Sequence, residues 1–156
     1  MTAIATDPFA DERFAAEHEV RLCSLDELLA QSDVVSLNLL CTPENVDLIN
    51  ADALAKMKQG SILVNTARGG VVDQAALVDA LKRGRPAAAA LDVTAIEPID
   101  LKDELLILPN VVITPHIASA SVATRLRMAN MAVDNLVAGL SGAPLPNCAN
   151  PEVYEE

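Results

Sequence analysis

Short apolar runs and helix-like stretches take turns along this chain, and that alternation limits the folds open to it. Apolar runs stand at Ala3–Thr6, Val20–Leu22, Val34–Leu40, Ser61–Asn65, Ala87–Asp92 and Val111–Thr114. Between them, Ser24, Asn50 and Asp73 are spaced to cap helices, because a short polar side chain can accept from the unpaired amides of a first turn. Glu27 follows Ser24 at the spacing of a capping box. Gly60 and Gly84 are placed to end the helices that start at Asn50 and Asp73. The second of these carries Ala76, Leu77, Ala80 and Leu81 at helical spacing, and a long last helix is predicted from about Ser121 to Gly139. Such alternation predicts an α/β fold built on a mainly parallel, doubly wound sheet. Ala87–Asp92 is almost wholly apolar and is expected to be a central strand covered on both faces.

Composition narrows the function. Hydrophobic residues make up 51% of the 156, which excludes a disordered chain, while aromatics are only 2%, so Ala, Val, Leu and Ile must build the core. The 22 acidic against 11 basic side chains, a net charge of −11, argue against nucleic acid as a partner. No apolar run approaches the ~20 residues that span a bilayer, so no membrane partner is expected either. Nor does the chain open on a basic segment leading into an apolar one. Cys23, Cys41 and Cys148 are odd in number and far apart, which points to free thiols in a cytoplasmic protein and to no metal site.

Ligands of doubly wound sheets bind outside the carboxyl ends of the strands. The polar residues predicted there are Asp7, the run Asn65–Arg68, Asp92 and His116, with Glu97 in the loop after Asp92. Each has an ordinary alternative: Asp7 as a turn residue before Pro8, Arg68 as a solvated cation, Glu97 as surface charge, His116 as a structural loop histidine. Their convergence on one sheet edge favours a site. Asp33 precedes its strand, falls on the opposite edge and is read as structural.

Several stretches also occur in a specific order: Ser36-Leu37-Asn38-Leu39, the run Leu63-Val64-Asn65-Thr66-Ala67-Arg68-Gly69-Gly70, Leu91-Asp92-Val93 with Glu97-Pro98, and Thr114-Pro115-His116-Ile117. Together they resemble the NAD-binding domain of the D-isomer-specific 2-hydroxyacid dehydrogenases, a group that includes glyoxylate/hydroxypyruvate reductases. The resemblance implies that His116 is the general acid and base, and that Glu97 steadies its imidazolium so that a proton is available near neutrality. It implies that Arg68 grips the carboxylate of a small 2-oxo or 2-hydroxy acid substrate. For the cofactor it implies Asp7 on the adenosine ribose and Asp92 on the nicotinamide carboxamide, with Thr66, Ala67 and Cys41 nearby. Ordinary strand-end packing stays open for Cys41. No arginine directly follows Asp7, so NAD is favoured over NADP.

The sequence departs from the family pattern at Leu40, usually proline, at Asn45, usually threonine, and at Thr94, commonly aromatic. A larger departure lies in the glycines (Gly60, Gly69, Gly70, Gly84, Gly139 and Gly142), which form no G-x-G-x-x-G. The expectation is therefore an incomplete Rossmann-like sheet lacking the first strand and its phosphate-binding loop, with Met1 an internal methionine of a longer enzyme. Residues 1–140 would form a partial dinucleotide-binding domain, and 141–156 a linker returning to an absent substrate domain. The expected activity is NAD-dependent oxidoreduction of 2-hydroxy acids, in a truncated and inactive form. The alternative is a non-catalytic module that binds a dinucleotide or associates through an exposed sheet edge.

Overall fold

The computed structural model describes residues 1–154, and within them the apolar runs become six strands, every pairing parallel. Strands β1 (Ala3–Ala5) and β2 (Val20–Leu22) make a two-stranded sheet. Strands β3 (Val34–Leu37), β4 (Ile62–Asn65), β5 (Ala88–Leu91) and β6 (Val111–Ile113) make a four-stranded sheet in chain order. The helices are α1 (Glu12–Glu17), α2 (Leu25–Gln31), α3 (Ala51–Lys56), α4 (Gln74–Lys82) and α5 (Val122–Leu140). The chain divides into two compact units, Met1–His116 and a second from Ile117 on.

The predicted caps form. Ser24 Oγ accepts from the Glu27 amide at 3.2 Å, Asn50 Oδ1 from Ala53 at 3.0 Å, and Asp73 Oδ1 from Ala76 at 3.0 Å. The capping box stays one-sided, because the Glu27 carboxylate accepts from Arg21 at 2.5 Å and from Gln31 at 3.0 Å instead of reaching back. Helix α1 has no counterpart in the sequence reading; six residues are too few for a period to show, and Asp11 starts it by accepting from the Phe14 amide at 2.9 Å. Strand β3 ends three residues earlier than predicted. Its neighbour β4 runs out at Asn65, opposite Leu37, so residues 38–40 have no ladder partner there. Asn45 Nδ2 instead donates to the Leu40 carbonyl at 2.7 Å and draws that segment into a loop.

Register explains the core. Val35, Leu63 and Ala89 stand side by side on one face of the four-stranded sheet, with Leu37, Asn65 and Leu91 in the next row. All six are buried, under apolar side chains that include Leu54 of α3 and Leu77 and Leu81 of α4. The opposite face carries Val34, Ile62 and Val112, which are 56%, 39% and 63% exposed. Strand β5 is interior to the sheet, as expected, yet it is covered on one face only: Ala89 and Leu91 are buried while Ala88 and Ala90 are half-buried. An alanine run is apolar on both sides whichever side is covered, so its composition could not reveal this.

In the second unit, Ser121 Oγ accepts from the Thr124 amide at 3.2 Å to start α5, and Ser141 Oγ donates to the Ala138 carbonyl at 2.8 Å where it ends. The segment that follows lies along this helix, with the Asn147 amide donating to Asn135 Oδ1 at 2.9 Å. No side chain of α5 is buried.

Candidate functional site

Because β3 to β6 are parallel, the residues that follow them emerge at one edge of the sheet. One turn there, after β4, is closed by a buried side chain. Asn65 is 1% exposed, its Oδ1 accepts from the Ala67 amide at 3.0 Å, and its Nδ2 donates to the Arg68 carbonyl at 3.0 Å. One buried amide thus staples the turn from both sides and satisfies its own polar atoms, as burial demands. Thr66 is left exposed, Ala67 buried and Arg68 exposed. The Arg68 Nη1 donates to the Ala67 carbonyl at 2.7 Å. In the sequence Asn65 stands out only as a strand-end polar residue; its stapling role shows in its burial and its two bonds.

After β5, Asp92 is 5% exposed, and its Oδ1 accepts from Thr114 Oγ1 at 2.5 Å. The same residue's carbonyl accepts from the His116 amide at 2.9 Å. Thr114 therefore bonds the side chain of Asp92 while His116 bonds its backbone. The short path Thr114-Pro115-His116 puts His116 at a φ of 53°, a left-handed conformation that a residue with a Cβ adopts only when its surroundings hold it there. The His116 ring turns to Glu97, nineteen residues earlier in the chain, and its Nδ1 lies 2.7 Å from Glu97 Oε2. Glu97 Oε1 accepts from the Thr94 amide at 3.1 Å. The His116 contact and the Thr94 amide hold the Glu97 carboxyl below the ordinary glutamate range, against an opposing push from partial burial and Asp92. Both side chains remain half in solvent, at 50% and 38% exposure, so the pair is open to a small molecule.

The other candidates are held more locally. Asp7 lies just beyond β1, and its Oδ1 accepts from the Phe9 amide at 2.8 Å, a turn closed over two residues. Cys41 is exposed in the loop after β3 and near Gly70, where an added Cβ would sit 3.2 Å from its Sγ. Asn45 shapes that loop by accepting from the Thr42 amide at 2.7 Å. Asp33, at the opposite edge, pairs with Lys58 as a structural ion pair. The structure thus joins Glu97, His116, Thr114 and Asp92 in one bonded group. Arg68 and Cys41 follow strands of the same four-stranded sheet with contacts of their own, whereas Asp7 follows β1 of the separate two-stranded sheet, so the expected convergence on one sheet edge does not extend to it.

A parallel α/β chain that carries a carboxylate-backed histidine beyond its last sheet strand holds a group suited to proton transfer. Comparison with known proteins makes this specific. Residues 1–118 match the model of the D-isomer specific 2-hydroxyacid dehydrogenase NAD binding domain, and the chain belongs to that family. Glyoxylate/hydroxypyruvate reductase B of Serratia proteamaculans is 49% identical over 147 residues, covering 94% of this chain and 44% of that protein. The apo D-lactate dehydrogenase of Escherichia coli superposes with a TM-score of 0.86 at 33% identity, covering 94% of this chain and 46% of the other. D-lactate dehydrogenase of Aquifex aeolicus, solved with NAD and lactic acid, gives a TM-score of 0.81 at 35% identity, covering 91% and 47%. The chain therefore spans a little under half the length of these relatives.

Proposed function

We propose that this chain carries the proton-handling and carboxylate-binding groups of an NAD-dependent oxidoreductase that interconverts 2-hydroxy and 2-oxo acids. The observation that carries this reading is the 2.7 Å contact between His116 Nδ1 and Glu97 Oε2 beyond the carboxyl ends of parallel strands. In the reducing direction, His116 as imidazolium donates the proton on Nε2 to the carbonyl oxygen of the substrate. Glu97 accepts from Nδ1, which fixes the ring and offsets its charge. Arg68 pairs with the substrate carboxylate, for which its planar two-pronged donor is suited. NAD, when bound as NADH, supplies the hydride.

The donor set fits that cofactor. Asp7 offers an acceptor for ribose hydroxyls beyond the end of a parallel strand, and Asp92 is a buried carboxylate at the end of another. Thr66 and Ala67 follow β4, and Cys41 lies in the loop after β3, at the same edge of the four-stranded sheet as Asp92. Pro8 and Phe9 follow Asp7 with no cation to receive a 2′-phosphate, which favours NAD over NADP. In this reading residues 1–140 are the dinucleotide-binding portion, 141–156 are a connecting segment, and the setting is cytoplasmic. Glyoxylate and hydroxypyruvate are the substrates to try first, from the names of the relatives.

The test is NADH absorbance in the presence of each 2-oxo acid, with calorimetric titration of NAD alongside. Decay that disappears in His116→Gln supports the proposal. No decay at high protein concentration, with no heat of NAD binding, sinks it. A non-catalytic module that self-associates is the second reading, favoured by the uncovered Val34, Ile62 and Val112. NAD binding without turnover, together with a dimer on size exclusion, would select it.

A further inference from the structure

The geometry points to Gln74 as a positioning residue: by tying the segment after Asp92 to the start of α4, it holds Glu97 against His116. This rests on the proposed proton-handling role of that pair. Gln74 is the first residue of α4 and half-buried. Its Oε1 accepts from the Ala95 amide at 2.9 Å, and its Nε2 donates to Asp103 Oδ2 at 2.6 Å. One end meets a donor and the other an acceptor, so turning the amide over would lose both bonds. Asp103 is itself anchored: its Oδ1 accepts from the Leu105 amide at 2.9 Å, and Leu105 is 1% exposed in the core. Gln74 thus links the loop to a fixed point.

The loop it grips is a small closed unit. Thr94 Oγ1 donates to the Ile96 carbonyl at 2.8 Å, and the Thr94 amide donates to Glu97 Oε1 at 3.1 Å. With Oε1 held inside this unit, Oε2 reaches His116. Where the unit sits therefore decides whether that 2.7 Å contact exists. A second constraint acts from the Arg68 side. A Cβ on Gly69 would fall 1.9 Å from the Thr94 carbonyl oxygen, so the turn after Arg68 presses directly on the same loop. Glutamine suits position 74 for a physical reason. Glutamate would set a carboxylate against Asp103, and asparagine is one methylene shorter.

The Glu97 carboxyl, whose titration is lowered by the His116 contact and by the Thr94 amide, provides a readout that needs neither cofactor nor substrate. Carboxyl-carbon NMR titration of the whole 156-residue chain would follow it, with Glu97→Gln assigning the signal. Gln74→Met keeps the side-chain length and charge while removing both hydrogen bonds. It is expected to move the Glu97 midpoint upward, toward the ordinary glutamate range. Gln74→Glu combined with Asp103→Asn preserves net charge and retains both bonds: the position-74 oxygen still accepts from the Ala95 amide, and the bond to position 103 forms with donor and acceptor exchanged, so its midpoint should return to wild type. Amide exchange gives a second measurement. Ala95 is expected to be protected in the wild type and to exchange about tenfold faster in Gln74→Met. An unmoved Glu97 midpoint in folded Gln74→Met overturns the proposal. So does an Ala95 amide that is unprotected in the wild type, and this holds even if the variant fails to fold. In a chain that turns over, Gln74→Met should lower kcat about tenfold with KM for the 2-oxo acid little changed. A chain that never oxidises NADH yet shows the midpoint shift refutes the dehydrogenase reading and keeps the role of Gln74. Turnover with a midpoint indifferent to Gln74 does the reverse.

Discussion

Acidic side chains stand beyond the carboxyl ends of both β1 and β5, but the two ends are built differently. Asp7 is held by a bond to an amide two residues away. Around Asp92 and Glu97 the bonds reach Thr114 and His116, about twenty residues further along the chain. A local turn keeps its geometry wherever the neighbouring strands lie. The β5–β6 end exists only if two adjacent strands hold their register, since His116 bonds both the backbone of one β5-end residue and the side chain of a loop residue. The groups proposed to share a proton are thus placed by tertiary structure, and the group proposed to accept from a ligand hydroxyl is placed by its own segment.

Substitutions can break or sharpen this contrast. The largest effect belongs to His116→Gln, expected to lower turnover of glyoxylate or hydroxypyruvate about a thousandfold, as loss of a general acid does. Glu97→Gln comes next, with turnover down about a hundredfold by the same NADH assay. It also carries a pH signature. The folded value of Glu97 lies below its unfolded one, so its contribution to stability is complete above the ordinary glutamate range and is lost as pH falls through the lowered value. Melting temperature against pH should therefore fall less steeply on the acid side in Glu97→Gln than in wild type. Thr114→Val removes a hydrogen bond to a buried carboxylate and is expected to destabilise the fold by about 2 kcal/mol in urea unfolding. Asp7→Ala is the mildest: NAD affinity should drop about tenfold by calorimetry, with unfolding unchanged. If Asp7→Ala instead destabilised the fold as much as Thr114→Val, the contrast between a local and a tertiary end would fail.

Much of the framework was legible because it is local. The caps at Ser24, Asn50 and Asp73 act within four residues, and each is where its spacing placed it. The strands follow the apolar runs. What was misjudged depends on neighbours. The length of β3 was set by where β4 stops, and Glu27 was drawn to Arg21, six residues back on another element. The covering of β5 was overestimated because Ala88 and Ala90 look the same in sequence whether or not anything lies over them.

The sequence by itself therefore determined the α/β alternation, the helix starts and the set of polar residues that emerge at the strand ends. These rest on side-chain periodicity and on hydrogen bonds that span a turn or less. Only the tertiary structure decided that Asn65 staples the Arg68 turn from inside, and that one sheet face is buried while the other is open. It also supplied the geometry of the Glu97–His116 contact, which the resemblance implied only as a pairing, and decided that Gln74 spans from Ala95 to Asp103. Those contacts depend on the register of parallel strands and on which loops that register brings together, a quantity that no single segment carries.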